Sequence, residues 1–291
     1  MQKTFFHSDD YGMSVQSSKY ILSCCDEGVL SSVAVMPNSP VFADCCQMLK
    51  PYVEQGRIAI SVHLNLVEGK ALSTPDKLPL LTDEEGFFCC SFEKLFLMTL
   101  SAKRSRLRRE IKRELVCQIR RVQEAFPAAE LALDSHQHFH MIPLVFDTIL
   151  DIIKEMSLSP RYVRLSCEPV LPFLLNPSVF VKIRPVNMVK NLLLNLFGCW
   201  DKPALRRRGI PANLFWGLMF SGNMNLFVVD ELLPVFEKTA VRRGLPLEIL
   251  SHPCPIEDTQ ECLDKRKKEF VDFYFSRGRF EEAAMLKSIG R

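Results

Sequence analysis

No uncharged stretch of this 291-residue chain is long enough to cross a bilayer; the greasiest, Asn191 to Trp200, is about half the length a spanning helix needs. The start, Lys3-Thr4-Phe5-Phe6, lacks the basic opening and apolar core of a signal peptide, so a cytoplasmic location is expected. Charge of one sign is also scarce: 37 Lys and Arg stand against 34 Asp and Glu, a net +3 that calls for no nucleic acid or other strongly charged partner. Eleven cysteines are present, but none has C-x-x-C spacing, and three pairs are adjacent (Cys24-Cys25, Cys45-Cys46, Cys89-Cys90). They read as small buried apolar residues in a reducing compartment rather than as a disulfide framework or zinc ribbon. The length suits one large barrel-type core or two modest domains, and with neither low-complexity linker nor internal repeat to divide it, residues 1–291 are expected to form a single domain.

The patterns present alternate between strand and helix. A strand is expected over Lys3 to Ser8, then a helix capped by Ser14 and ended near Gly28, a strand over Val29 to Met36, a helix over Val41 to Leu49, and a strand over Arg57 to Leu64. This βαβαβ opening implies parallel strands with right-handed crossovers, and so all strand exits on one rim. Periodicity is lost from Val67 to Cys90, where Glu68-Gly69-Lys70 and Asp83-Glu84-Glu85-Gly86 are turn signals; a loop this long in a compact domain tends to be functional. Leu107, Ile111, Leu115, Ile119, Val122 and Phe126 make the inner stripe of a long helix, with Glu110 and Glu114 interspersed in its basic face for local pairing. That run, Lys103 to Arg109, and Arg206-Arg207-Arg208 read as solvated helix faces, with anion binding the less common alternative. Further elements are a helix over Val145 to Met156, a strand over Arg161 to Leu165, apolar helices between Val170 and Gly222, a helix over Leu226 to Ala240, a strand over Leu245 to Leu250, and closing helices in the charged tail from Lys265 to Ile289. The Phe215 to Gly222 run suits packing, or an apolar wall, and the apolar segment around Leu192 to Trp200 leaves a homodimer open.

Three strand ends carry chemistry: Phe5-Phe6-His7-Ser8-Asp9-Asp10, Ile58-Ala59-Ile60-Ser61-Val62-His63-Leu64-Asn65, and Leu131-Ala132-Leu133-Asp134-Ser135-His136-Gln137-His138-Phe139-His140 before Pro143. One carboxylate and two neutral imidazoles suffice for one divalent ion and leave positions open for water and substrate, as in a catalytic rather than a structural site. Adjacent strand residues point oppositely, so Asp9 and Asp10 both face inward only if the strand is already turning, which Tyr11-Gly12 makes credible. If His136, His138 and His140 lie on an extended segment, they share one face. Asp134 suits fixing an imidazole tautomer, or plain loop bonding; Asn65 suits holding the loop or a sugar; Arg164 suits an acidic or acetyl oxygen, or an ion pair.

Taken in order, His7-Ser8-Asp9-Asp10-Tyr11-Gly12, His63-Leu64-Asn65, Asp134 to His140 with Pro143, and His252-Pro253 resemble the motifs of the YdjC-like carbohydrate deacetylases, a family that includes chitooligosaccharide and hopanoid N-acetylglucosamine deacetylases. The resemblance implies an α/β fold, a distorted (β/α) barrel of the TIM type, with one divalent ion, Mg or Zn. It implies removal of N-acetyl groups from an amino sugar, an N-acetylglucosamine oligosaccharide or a glycolipid. By position, Asp10, His63 and His136 match the family's metal ligands and Asp9 its base, while His252 suits a general acid; Asn65, His138, His140 and Arg164 are candidates for substrate contact. The family more often has Asn-Ala before the acidic pair, Phe after it, and Gly where Cys254 stands, departures that bear on substrate detail more than on chemistry. The competing readings are a metal-dependent phosphoesterase, marked by two ions about 3.5–4 Å apart, and a catalytically silent sugar-binding protein.

Overall fold

In the computed structural model, residues 4–254 and 263–289 are described. The chain opens as expected: β1 (Thr4–Tyr11), α1 (Val15–Asp26), β2 (Leu30–Val35), α2 (Phe42–Glu54) and β3 (Ala59–Leu64). Ser14 caps α1 through a reciprocal bond with Ser17, satisfying helix N–H groups that would otherwise lack partners. Next come α3 (Phe92–Thr99), α4 (Arg104–Ala125), β4 (Ala132–Ser135), a 3-10 segment over His136–Met141, and α5 (Pro143–Glu155). The short α6 (Leu171–Leu174) and α7 (Pro177–Phe180) lead into the long α8 (Pro185–Arg207), then β5 (Leu214–Trp216), α9 (Leu226–Arg243), β6 (Leu247–Ser251), α10 (Lys268–Tyr274) and α11 (Arg277–Ser288).

The six strands among the described residues are all parallel, in the order β4-β3-β2-β1-β6-β5, and the sheet curls into a half-barrel with helices outside. The expected strand over Arg161 to Leu165 is reduced to one parallel bridge, Leu133 to Val163. Its other edge meets the approach to β5, Val163 N donating to Pro211 O at 3.4 Å, so this segment draws the two sheet edges together. The α/β barrel expectation therefore holds, with the irregular strand as its distortion.

Strand register places the polar residues of the barrel interior. His7 lies beside Ser32 on β2, and His63 beside Asp134 on β4. Outside, α4 buries the expected Leu107 to Val122 stripe, but Glu110 and Glu114 are buried rather than solvated. Glu114 accepts from the backbone N–H groups of Leu72 and Ser73, and Glu110 from that of Leu80. Two helix carboxylates thus fasten the 67–90 excursion to the barrel, a stronger tie than a surface ion pair supplies. α11 approaches closely where glycine leaves room: a Cβ on Gly28 would stand 2.2 Å from Leu286 O, and one on Gly278 would stand 1.8 Å from Gly222 O. Among the described residues no helix is long and apolar enough to cross a membrane.

Candidate active site

The exit of β1 is where local backbone geometry departs from the strand rule. Asp10 has φ of 64° and the ladder to β2 skips between Ser8 and Tyr11. This left-handed residue is followed at once by the turn expected at Tyr11-Gly12, where Gly12 has φ of 94° and Met13 N donates to Asp10 O at 3.2 Å; together they let Asp9 and Asp10 both face inward. A non-glycine residue in that conformation costs about 1–2 kcal/mol, which aspartate tolerates better than most. Such strain persists where the surrounding contacts over-determine it.

Asp10 Oδ1 lies 3.5 Å from His63 Nε2 and 3.1 Å from His136 Nδ1. The candidate ligand atoms of the three residues lie within 4.8 Å of one another. Ligands about 2.1 Å from a tetrahedral ion stand about 3.4 Å apart, so two edges already have the spacing of a first-row metal site.

Each imidazole has a carboxylate behind it. His63 Nδ1 donates to Asp134 Oδ1 at 2.6 Å, and Ser61 Oγ donates to the other oxygen at 2.5 Å. His136 Nε2 donates to Glu68 Oε2 at 2.9 Å, which the Tyr274 hydroxyl also reaches at 2.6 Å. Held this way, each ring turns its opposite nitrogen toward Asp10. His63 Nε2 is buried with no hydrogen-bond partner among the described residues, a cost that a cation would relieve. The residues present therefore fit one divalent ion. Without one, burial opposes charge on His63, but Asp9, Asp134 and Asp10 outweigh it and the imidazole is pushed up to about 10. Burial likewise opposes charge on His136, and bonds to Asp10 and Glu68 push it up to about 9.

Asp9 stands beside this trio under the control of Arg164. The guanidinium donates from Nη1 and Nη2 to the two Asp9 oxygens at 3.0 and 2.8 Å, and from Nε to Glu248 at 2.7 Å. Asp134 Oδ2 lies 3.1 Å from the same Nη2. Burial works to raise Asp9, yet Arg164 and then His63 hold its carboxyl well below the usual carboxylate range. His7 lines the other side, with Nε2 3.2 Å from Asp9 and Nδ1 2.9 Å from Ser32 Oγ. His7, Asp9 and Asp134 also cluster closely enough to hold a metal. Arg164 already sits on that cluster, and its fixed charge opposes a second cation there.

The end of β6 brings His252 to the opposite wall, Nε2 4.0 Å from Asp9 Oδ2 and Nδ1 3.7 Å from Glu282. Glu282 accepts the His252 backbone N–H, and Arg279 Nε donates to the His252 carbonyl at 2.6 Å. Arg279 Nη2 also lies 3.5 Å from Asp10. The charged tail, expected only to close the barrel, thus buries two ionic side chains against the site.

Several expected substrate contacts are otherwise engaged. Gln137 and His138 are left-handed (φ 56° and 59°), so the three histidines do not share an extended face but diverge. His140 is fully buried between Ser135 Oγ at 2.6 Å and the Arg164 carbonyl at 2.9 Å, and burial lowers it to about 4. Asn65 is also fully buried: its amide nitrogen donates to Asn38 and the Glu68 carbonyl, and its oxygen accepts from Val67 and Glu68 N–H. Arg164 has no exposure either. These three residues build the site rather than face its mouth. His138 remains at the mouth, 7% exposed, with Nδ1 3.0 Å from Ser166 Oγ and its ring edge against Phe215. The Phe215 to Gly222 run packs, Trp216 stacking on Phe236 at 4.4 Å.

Glu68, Glu248, Arg279 and Glu282 escaped the sequence reading as site residues. Only Glu68 carried a signal, lying in the aperiodic excursion.

The sequence profile of the YdjC-like protein family matches residues 3–288. A carbohydrate deacetylase of Thermoanaerobacter pseudethanolicus is 26% identical over 174 residues, covering 59% of this chain and 64% of that protein. One from Brevibacillus brevis is 31% identical over 163 residues, covering 55% and 59%. Each alignment thus spans less than two thirds of the curated relative's length. Among solved structures, a candidate cellobiose-phosphate cleavage protein from Enterococcus faecalis V583 superposes with TM-score 0.64 at 17% identity, over 99% of this chain and 91% of that one, a likeness of fold. With a profile that runs almost end to end over a parallel half-barrel, the chain belongs to the YdjC-like protein family.

Proposed function

We propose that this protein is a metal-dependent amide hydrolase that removes the N-acetyl group from an amino sugar. The observation that carries the reading is the convergence of Asp10, His63 and His136, with a carboxylate behind each imidazole and Asp9 fixed beside them. The names of the relatives, carbohydrate deacetylases, support an acetylated carbohydrate as the substrate class.

Asp10, His63 and His136 would hold a divalent ion, which would supply Lewis acidity for activating water near neutral pH and polarising an acetyl carbonyl. Asp9 takes the proton from the attacking water. Arg164 keeps Asp9 ionised and aims it, at some cost in basicity. His252 hands a proton to the departing amine, its backbone N–H anchored by Glu282 and its carbonyl by Arg279. His138, neutral because burial and Arg164 hold it well below the ordinary histidine value, contacts substrate at the mouth. His63 and His136 orient through Asp134 and Glu68 rather than transferring protons.

A phosphoesterase with two ions is disfavoured by Arg164, whose guanidinium occupies the only other metal-capable cluster among the described residues. The test is an acetate-release screen of the metal-loaded protein on N-acetylated mono- and oligosaccharides, with a phosphomonoester alongside. Acetate release without phosphate release supports the reading; phosphate release alone overturns it.

A further inference from the structure

α8 is apolar on two faces. Its inner face buries Leu194, Phe197 and Leu205 together with amides: Asn187 donates to the Met219 carbonyl at 3.0 Å, while Asn191 and the half-buried Asn195 donate to the Glu168 carbonyl at 3.2 and 2.9 Å. Its outer face carries Val189, Leu192, Leu196 and Trp200, each more than half exposed, and the preceding turns add Leu175 and Val181 at 71% and 77%. Isolated exposed aliphatics are ordinary, but a run of them at helical spacing on one face marks a surface that meets something.

The charges around it say what. Between positions 169 and 200 the only charged residues are Lys182, Arg184 and Lys190, all exposed, with no acid among them. The neighbouring acid is Glu231 on α9, which accepts from Asn176. Lys182 and Arg184 also line a cavity of about 180 Å³ with Asn223 and Asn225, a basic recess beside the apolar face. A second copy is a poor occupant, because a two-fold interface sets a patch against itself and would bring these cations together without counter-charge. Aliphatic and Trp side chains fringed by Lys and Arg match the boundary between acyl chains and anionic headgroups.

We propose that the exposed face of α8, with the turns of α6 and α7, docks this protein on an anionic lipid surface, with headgroup phosphates meeting Lys182 and Arg184. Since α8 packs on the 3-10 segment that carries His136 and His138, docking sets the site's rim near the bilayer. The proposal stands apart from the activity proposed above, because vesicle binding is read without any substrate.

The test is co-sedimentation of the full chain with vesicles of phosphatidylcholine alone and of phosphatidylcholine with phosphatidylglycerol. Expected is binding at least about tenfold tighter to the anionic vesicles, weakened by salt. Two variants, L192E/L196E and R184E/K190E, should each lose at least about tenfold in binding while keeping the wild-type unfolding temperature. Absence of binding to either vesicle overturns the proposal, as does equal binding to both. So does a wild-type dimer in solution that L192E/L196E converts to a monomer, which would assign the face to a second copy.

Discussion

Arg164 holds both carboxylate oxygens of Asp9, at 3.0 and 2.8 Å, from 155 positions along the chain. A forked, fully buried contact of this kind fixes direction as well as charge. Lysine keeps the charge but loses the fork. Arg164→Lys should therefore lower kcat for acetate release on the order of 10²-fold, with metal affinity nearly unchanged. Arg164→Met removes the counter-charge from Asp9, Asp134 and Glu248 and should destabilise the fold by roughly 3–5 kcal/mol, read by urea unfolding.

On the proposed mechanism, Asp9 and Asp10 are neighbours with different work. Asp9→Asn leaves the Asp10, His63 and His136 trio intact, so metal content should stay at the wild-type level. Acetate release should fall by on the order of 10²–10⁴. Unchanged turnover would remove Asp9 from the proton transfer.

Glu68 tests whether the excursion serves the proposed metal site. It holds His136 Nε2 at 2.9 Å and is itself held by Tyr274. Glu68→Gln should weaken metal affinity by about 10–100-fold, measured by competition with a chelating dye. A change in stability alone, with affinity intact, would make Glu68 a packing residue.

The pH dependence follows from the two imidazoles. In the metal-free protein, nearby carboxylates push His63 up to about 10 and His136 up to about 9, so both carry protons near neutrality that an ion must displace. Apparent metal affinity should then rise by up to about 100-fold per pH unit towards pH 9 and level off above about 10. Both folded values lie above the ordinary histidine value of about 6.5. The stability these groups give the metal-free fold is therefore complete below that value and lost as pH rises through 9 and then 10. Calorimetric titration from pH 6.5 to 10, with proton release counted in two buffers, reads the first effect; thermal unfolding in chelator reads the second.

The parts of this structure legible in the sequence are those written in local pattern. The βαβαβ opening, the Ser14 cap, the α4 stripe and the strand exits at Asp10 and His63 follow from periodicity and capping chemistry. Backbone departures showed less: Tyr11-Gly12 marks the turn at the exit of β1, but a period of two gives no hint that Gln137 and His138 turn left-handed, since that choice is made by contacts at a distance. Buried charges were hidden for the same reason. Glu114, Arg279 and Glu282 sit in helices whose composition reads as solvated, and each is buried only because a partner far along the chain receives it.

The most direct test of the central claim is anomalous scattering from crystals of the protein loaded with manganese or zinc, beside the metal content of His63→Ala. The account predicts one ion per chain, ligated by Asp10, His63 and His136, and its loss in the variant. An ion bound elsewhere, a second ion between His7, Asp9 and Asp134, or unchanged metal content in His63→Ala would contradict it.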